Sequence, residues 1–323
     1  MTDIWTARGW DETDAGHTRR LLDEGADPDT WEDGRPLHHA AVYGTPEVVA
    51  ELAARVTDVD ATANGATALW EAVVSGRTDT ARALAAAGAD PWLSTVGDWS
   101  PGRLSLAGPE PDLFPAPPGT GLTDAEQAAA REAHRLIAAL GSLECDGTGL
   151  ACVAGIDAAE AVRRLAAAPA SDEAVRRLAD PYGFDLDEDV RVIGVTTVPG
   201  GCVVTQPWGY APQLPGALAR LSPGTVCYGL YANPKSGDQG SIARDGAVEG
   251  QDLHPGGRPE AEDGPEELLS AYLYQHHPVA YACAFAGLRP TDATPVTGPP
   301  GRWAELPERG QAHWPGRAAP PGS

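Results

Sequence analysis

Two short amphipathic stretches joined by a glycine recur along the first third of the chain. Leu37, Ala40 and Ala41 lead to Gly44 and then to Val48, Val49 and Leu52, spacings of three and four that line one side of a helix. The pattern starts again with Leu69, Ala72, Gly76 and Leu84, and all four landmarks keep the same offset. Each unit opens on a turn, Asp33-Gly34 or Asn64-Gly65, starts a helix at Pro36 or Thr67, and uses paired small residues so that a second helix can approach closely. Gly44 and Gly76 supply the tight turn between the two helices, where a side chain would clash. A helix pair of this size cannot bury its apolar face alone, so such units must stack.

Ile4–Arg8 and Gly16–Leu22 read as the two helices of an atypical opening unit, and a further unit begins at Trp99-Ser100-Pro101 but loses the pattern at Ala107-Gly108-Pro109. So short an array leaves one end open, to be covered by the downstream domain or by a partner. Residues 109–122, rich in proline, exclude helix and read as a stiff linker. Thr123 and Glu126 then form a capping-box pattern that starts an alanine-rich helix ending at Leu140-Gly141.

Beyond this helix the periodicity changes. Leu150–Ala154 reads as a strand, followed by a helix capped at Asp157. Val190–Val198 is β-branched, and Pro199-Gly200-Gly201 turns it into Cys202–Gln206, the clearest hairpin in the chain. A helix over Pro215–Leu221, a strand over Thr225–Tyr231 and a second hairpin around Asp245-Gly246 follow. After Gly257 an acidic, mobile stretch is expected, then helices over Glu266–Gln275 and Val279–Phe285 and a disordered tail from Pro307. Strands grouped centrally with helices around them predict an α+β domain with a mainly antiparallel sheet. The expected organisation is an all-α repeat stack over 1–108, a linker over 109–122, an α+β domain over 123–306 and a tail over 307–323.

Gly34–Ala41, with the unit endings Leu22–Asp27 and Ala87–Asp90, resembles the ankyrin-repeat family over about residues 15–108. The resemblance implies protein binding through the turn tips and the exposed positions of each first helix. Those positions are Glu32, Asp33, Arg35, Val42 and Tyr43 in one unit, Ala63, Asn64, Ala66, Val74 and Ser75 in the next, and Trp99 at the tip of the broken unit. It also implies that His38 ties neighbouring loops by hydrogen bonding; Trp70 stands at the equivalent position one unit on. The C-terminal part is similar to an uncharacterised domain of bacterial ankyrin proteins, through Gly200–Tyr210 and Tyr231–Lys235, and that likeness implies no activity.

Acidic side chains number 46 against 23 basic, a formal charge of −23. Such a field disfavours nucleic acid and anionic membranes and favours a protein partner with a basic surface. Lysine occurs once, at Lys235, which together with the abundance of Ala, Gly and Pro points to a GC-rich bacterial genome. Five scattered cysteines without a C-x-x-C pair, an N-terminus with no leader pattern and no long apolar run suggest the reducing cytoplasm.

No catalytic constellation stands out. Gly147–Cys152 falls one residue short of a dinucleotide fingerprint and precedes a strand rather than a helix. Asp185–Asp189 opens like a calcium loop but has Val190 and Thr196 where glycine and glutamate are needed. His276 and His277 are adjacent and diverge on a helix, and the cysteines read as small apolar core groups, so neither a metal nor a cofactor is expected. A ligand pocket is possible at Trp208 and Tyr210 with Asn233, Lys235 and Asp238, where aromatic and polar groups can meet near a sheet edge. The leading expectation is a scaffold or adaptor. The alternatives are an enzyme or small-ligand binder using that pocket, and an acidic, toxin-neutralising immunity-type protein.

Overall fold

The computed structural model describes residues 4–31, 34–143, 145–178, 191–233, 235, 237–260 and 262–307. They form two compact units, one of Met1–Arg131 with Arg258–Leu273, the other of Glu132–Gly257 with Tyr274–Ser323. The expected acid-loop segment 185–189 and all but the first residue of the expected tail lie outside the described residues.

The first unit is a helix stack. Its elements are α1 (Ile4–Arg8), α2 (Ala15–Asp23), α3 (Pro36–Tyr43), α4 (Pro46–Ala53), a hairpin of β1 (Thr62–Ala63) and β2 (Ala66–Thr67), α5 (Ala68–Val74), α6 (Thr78–Ala86) and the short α7 (Pro101–Ser105). The starts are chemically marked: Asp14, Thr45, Thr67 and Ser100 each accept the amide hydrogen three residues on. The two hinge glycines serve different needs. Gly76 takes φ +65°, whereas at Gly44 a Cβ would sit 2.8 Å from the Ala40 carbonyl oxygen and 2.9 Å from that of Glu12. Leu37, Ala40, Val48, Leu52, Leu69, Ala72 and Leu84 form one buried core, and truncating such a leucine typically costs about 2–5 kcal/mol.

Repeat-to-repeat polar links recur along the stack. Thr57 donates through its amide and hydroxyl to Asp29, and the Asp90 amide donates to Asp60. His38 Nε2 lies 3.1 Å from the Ala66 carbonyl oxygen, the interloop tie the repeat position implies.

The end of the stack is closed by two segments read differently in sequence. The proline-rich 109–122 stretch is no free spacer: Leu113 and Phe114 enter the repeat core, Arg82 pairs with Glu110, and Trp92 donates to the Pro115 carbonyl. Residues 258–260 and 262–273 return from far down the chain and cap the broken unit. Arg258 bonds Glu71 at 2.6 Å, Trp99 Nε1 donates to the Pro265 carbonyl at 3.2 Å, and the Tyr272 hydroxyl occupies the space a Cβ on Gly108 would need. Apolar burial of this second cap supplies what a truncated array lacks.

In α8 (Asp124–Leu140), the capping box is realised: the Thr123 amide donates to Glu126 and the Glu126 amide to the Thr123 hydroxyl. The second unit then contains β3 (Gly149–Ala154), α9 (Ala158–Leu165), β4 (Ala168–Pro169), α10 (Asp172–Leu178), β5 (Val192–Val198), β6 (Gly201–Gln206), α11 (Pro215–Leu221), β7 (Val226–Tyr231), β8 (Gln239–Arg244) and β9 (Ala247–Asp252). The end of α12 (Pro265–Tyr274), α13 (Pro278–Phe285), α14 (Thr294–Thr297) and β10 (Arg302–Glu305) complete it. The strands make one antiparallel sheet of eight, in the order β4-β10-β5-β6-β3-β7-β8-β9. Both expected hairpins are present, while β4, α10 and β10 are elements the periodicity did not reveal.

Alternation assigns the two sheet faces. Ala151, Val153, Cys202, Val204 and Cys227 share a core with Ala161 and Leu165 of α9 and Leu218 and Leu221 of α11. From the neighbouring positions, Cys152 meets Cys283 of α13 at 3.8 Å between sulfurs, and Tyr228 packs edge-on to Tyr281. The four buried cysteines are free thiols within this packing.

Candidate functional site

The first helix of each repeat presents its outer turn to solvent unless something covers it. On α3, Tyr43 is 60% exposed and Val42 and Arg35 are half-buried, with the Arg35 guanidinium 3.5 Å from Asp29. Tyr43 belongs to a continuous aromatic cluster. His39, one turn earlier on α3, lies 4.8 Å from the Tyr43 ring and 4.8 Å from Trp31; Trp31 meets Trp10 edge-on at 5.4 Å, and Trp10 rests 5.0 Å from the buried Trp5. Edge-to-face and tilted pairs of this kind are favourable beyond the area they bury. The indole N–H groups are satisfied inside the unit: Trp10 donates to the Thr18 hydroxyl and Trp31 to that of Thr6. What the cluster offers outward is ring face and edge.

The equivalent surface of α5 is closed. Val74 is 3% and Ala66 6% exposed, and Trp70 is buried as well, which removes Val74 and Ala66 from the expected binding positions. Helix α5 is packed between α3 and α7, and Arg258 of the return segment reaches its Glu71. Asn64 remains exposed at the hairpin tip with φ +51°, and Ala63 and Ser75 are half-buried. Trp99 needs the largest correction: it is 1% exposed, its N–H is bonded to Pro265, and the Arg103 guanidinium stacks 4.2 Å from its ring. It is a core residue of the capped end. Glu32 and Asp33 lie outside the described residues. Trp10, Trp31 and His39 were missed because they sit outside the repeat register or at positions the register assigns to structure. Two tryptophans in the poorly matching opening segment, Trp5 and Trp10, were the available signal.

In the second unit, the expected pocket residues do gather at one end of the sheet. Gly149 pairs with both Gln206 and Tyr231, and Tyr231 with Gln239, which brings residues 145–148, 207–210, 232–233 and 237–238 to the same end of the sheet. Trp208 is 65% exposed, takes φ +57° and lies over Gly147, where a Cβ would be 3.0 Å from its ring. Tyr210 is 48% exposed and meets Tyr231 edge-on at 5.9 Å. Burial and the neighbouring Asp146 raise the Asp238 carboxyl above its ordinary value, Asn233 caps the Lys235 amide at 3.0 Å, and Lys235 is exposed. Trp208, Tyr210 and Lys235 are thus exposed at an aromatic and polar end of the sheet.

A separate cleft of about 200 Å³ is lined by Ile137, Leu140, Cys145, His276, His277 and Val279. Burial raises the Cys145 thiol and lowers the His277 imidazole, so both favour their neutral forms. Among the described residues, no group of three His, Cys, Asp or Glu side chains is placed to hold a metal ion, and no helix is long and apolar enough to cross a membrane.

Residues 12–95 match the family model described as ankyrin repeats, three copies. The N-terminal stack is therefore an ankyrin-repeat array, an architecture that indicates protein–protein interaction. No curated protein matches the chain.

Proposed function

We propose that the protein is an adaptor, which binds another protein through the open face of its first full ankyrin unit while the rest of the array serves as a closed support. One observation carries this reading: α3 holds Tyr43 60% exposed on an ordered aromatic cluster, in a stack whose other large rings are partly or wholly buried. Exposed aromatic side chains that are already immobilised lose little entropy on binding and are frequent interface anchors. Arg35 and Val42 belong to the same unit, and Ala63, Asn64 and Ser75 of the next unit would extend the surface. A cytoplasmic bacterial home, and the likeness of the second unit to an uncharacterised domain of bacterial ankyrin proteins, belong to the same reading. The test is affinity capture with the full chain beside Tyr43→Ala. A discrete partner retained by the wild type and lost by a variant of unchanged circular dichroism supports the assignment; equal capture by both sinks it.

A second reading places a small ligand on the sheet edge of the second unit. It is favoured by Trp208, a large exposed ring held in left-handed backbone, which costs about 1 kcal/mol or more and tends to persist at functional positions. Asp238, Asn233, Tyr210 and Lys235 supply the polar and aromatic surroundings. Ligand-dependent rise in melting temperature that Trp208→Ala abolishes is its expected signature.

A further inference from the structure

We infer that the aromatic cluster on α3 receives an arginine side chain from a basic segment of the partner. The inference rests on the adaptor reading and adds the chemistry of what is bound.

Four rings converge from three parts of the unit: Trp10 from the turn after α1, Trp31 from the loop before α3, and His39 and Tyr43 from α3 itself. Trp10 and Trp31 stand at 88° to each other, Trp31 and His39 at 76°; Trp10 and Trp31 rest on the repeat core, and Tyr43 carries the exposed ring of the cluster. With both indole N–H groups committed to Thr18 and Thr6, neither is a free donor for a carboxylate or phosphate. The π faces have the opposite preference and attract cations. A guanidinium suits the arrangement best, because it is planar, weakly hydrated and able to stack.

The electrostatic surroundings agree. The Glu12 carboxylate reaches to 3.9 Å from His39 Nε2, and Asp11, one residue before it, is held below its ordinary value by hydrogen bonds from Thr13 and so stays ionised. Arg35 is engaged with Asp29, Arg77 with the Gly44 carbonyl and Arg8 with Glu24. Over the whole chain 46 acidic side chains face 23 basic ones, so an approaching basic segment is steered in and an acidic one repelled.

The probe is a fluorescein-labelled (Arg-Gly)6 peptide, titrated into the full chain by anisotropy beside its citrulline counterpart, which keeps the planar shape but lacks the charge and has a carbonyl oxygen in place of one NH2 donor group. We expect the arginine peptide to bind at least tenfold more tightly than the citrulline one. Tyr43→Ala and Glu12→Gln should each weaken it severalfold, with melting unchanged, while Tyr43→Phe retains it. Equal affinity for the two peptides, no binding of either, or binding indifferent to Tyr43→Ala overturns the inference; the last outcome is what diffuse attraction to an acidic chain would give. Failure here leaves the adaptor reading intact if Tyr43→Ala still loses a captured partner, and removes both if it does not.

Discussion

Helices α3 and α5 occupy the same place in successive ankyrin units, yet one meets solvent through a tyrosine and the other is sealed. Position by position they correspond: Leu37 to Leu69, His39 to Glu71, Val42 to Val74 and Tyr43 to Ser75. Their core faces behave alike, with Leu37 and Leu69 both buried. Their outer faces diverge: on α5 Val74 is 3% exposed and Arg258 reaches Glu71, while on α3 Tyr43 is 60% exposed. A repeat register thus determines which residues build the backbone and the core. Exposure also depends on whatever else the chain lays on the stack.

The most severe way to break the contrast is at Trp99. A ring 1% exposed, bonded to Pro265 and stacked by Arg103, leaves a large cavity when truncated. Trp99→Ala should destabilise the first unit by about 3–5 kcal/mol in urea unfolding. Tyr43→Ala, at the exposed position, should stay within about 0.5 kcal/mol of wild type. Similar losses for both would mean that open and closed faces do not differ as described.

His38 offers a sharper, pH-dependent test. Its Nε2 contact to the Ala66 carbonyl joins neighbouring units, and removing it should cost about 1–3 kcal/mol by leaving a buried polar group without its partner. Burial lowers the folded-state value below the ordinary 6.5, although the Ala66 contact acts in the other direction. The unfolded chain therefore binds the proton first. Stability from this group is complete above about pH 6.5 and declines as pH falls toward the folded value. In His38→Ala that slope, followed by melts between pH 7.5 and 5, should flatten; an unchanged slope would assign it elsewhere.

The second unit has its own electrostatic clasp. Glu132 on α8 accepts from Arg135 and from Arg289, which hold its carboxyl down at about 2. Its folded value lies below the unfolded one near 4.3, so the contribution is full above that and is lost as pH falls toward 2. Because Arg289 is largely exposed, screening limits the effect of Glu132→Gln to about 1–2 kcal/mol at pH 7. The difference from wild type should vanish near pH 2, read by near-ultraviolet circular dichroism of the second unit's aromatic core.

Local signals made much of this architecture legible. Helix caps at Thr123 and Asp157, the Pro199–Gly201 turn and the constant repeat offset are short-range chemistry, and each maps onto an observed element. The elements that escaped are those stabilised only by distant partners. β10 pairs with β5 across more than a hundred residues, and β4 is a two-residue edge attached to β10. Trp99 illustrates the same limit for the site. At a repeat tip it has the pattern of a binding residue, and only the arrival of Pro265 makes it core. Tyr43 was legible because nothing distant intervenes there, whereas Trp10 and Trp31 joined it through tertiary contacts that no local period announces.

The smallest expected effect bears most directly on how α5 came to be closed. Arg258 and Glu71 meet at 2.6 Å with side chains 42% and 26% exposed, a pairing that solvent screens and that is typically worth about 0.2–1 kcal/mol. If the pair merely decorates a cap held by Tyr272, Leu268 and Trp99, then Arg258→Ala and Glu71→Ala should each cost a few tenths and couple weakly in a double-mutant cycle. Neither should uncover α5. A coupling well above about 1 kcal/mol would instead make the ion pair the latch of the return segment. The cap would then depend on ionic strength, and raising the salt would open on α5 the same kind of outer face that α3 presents all the time.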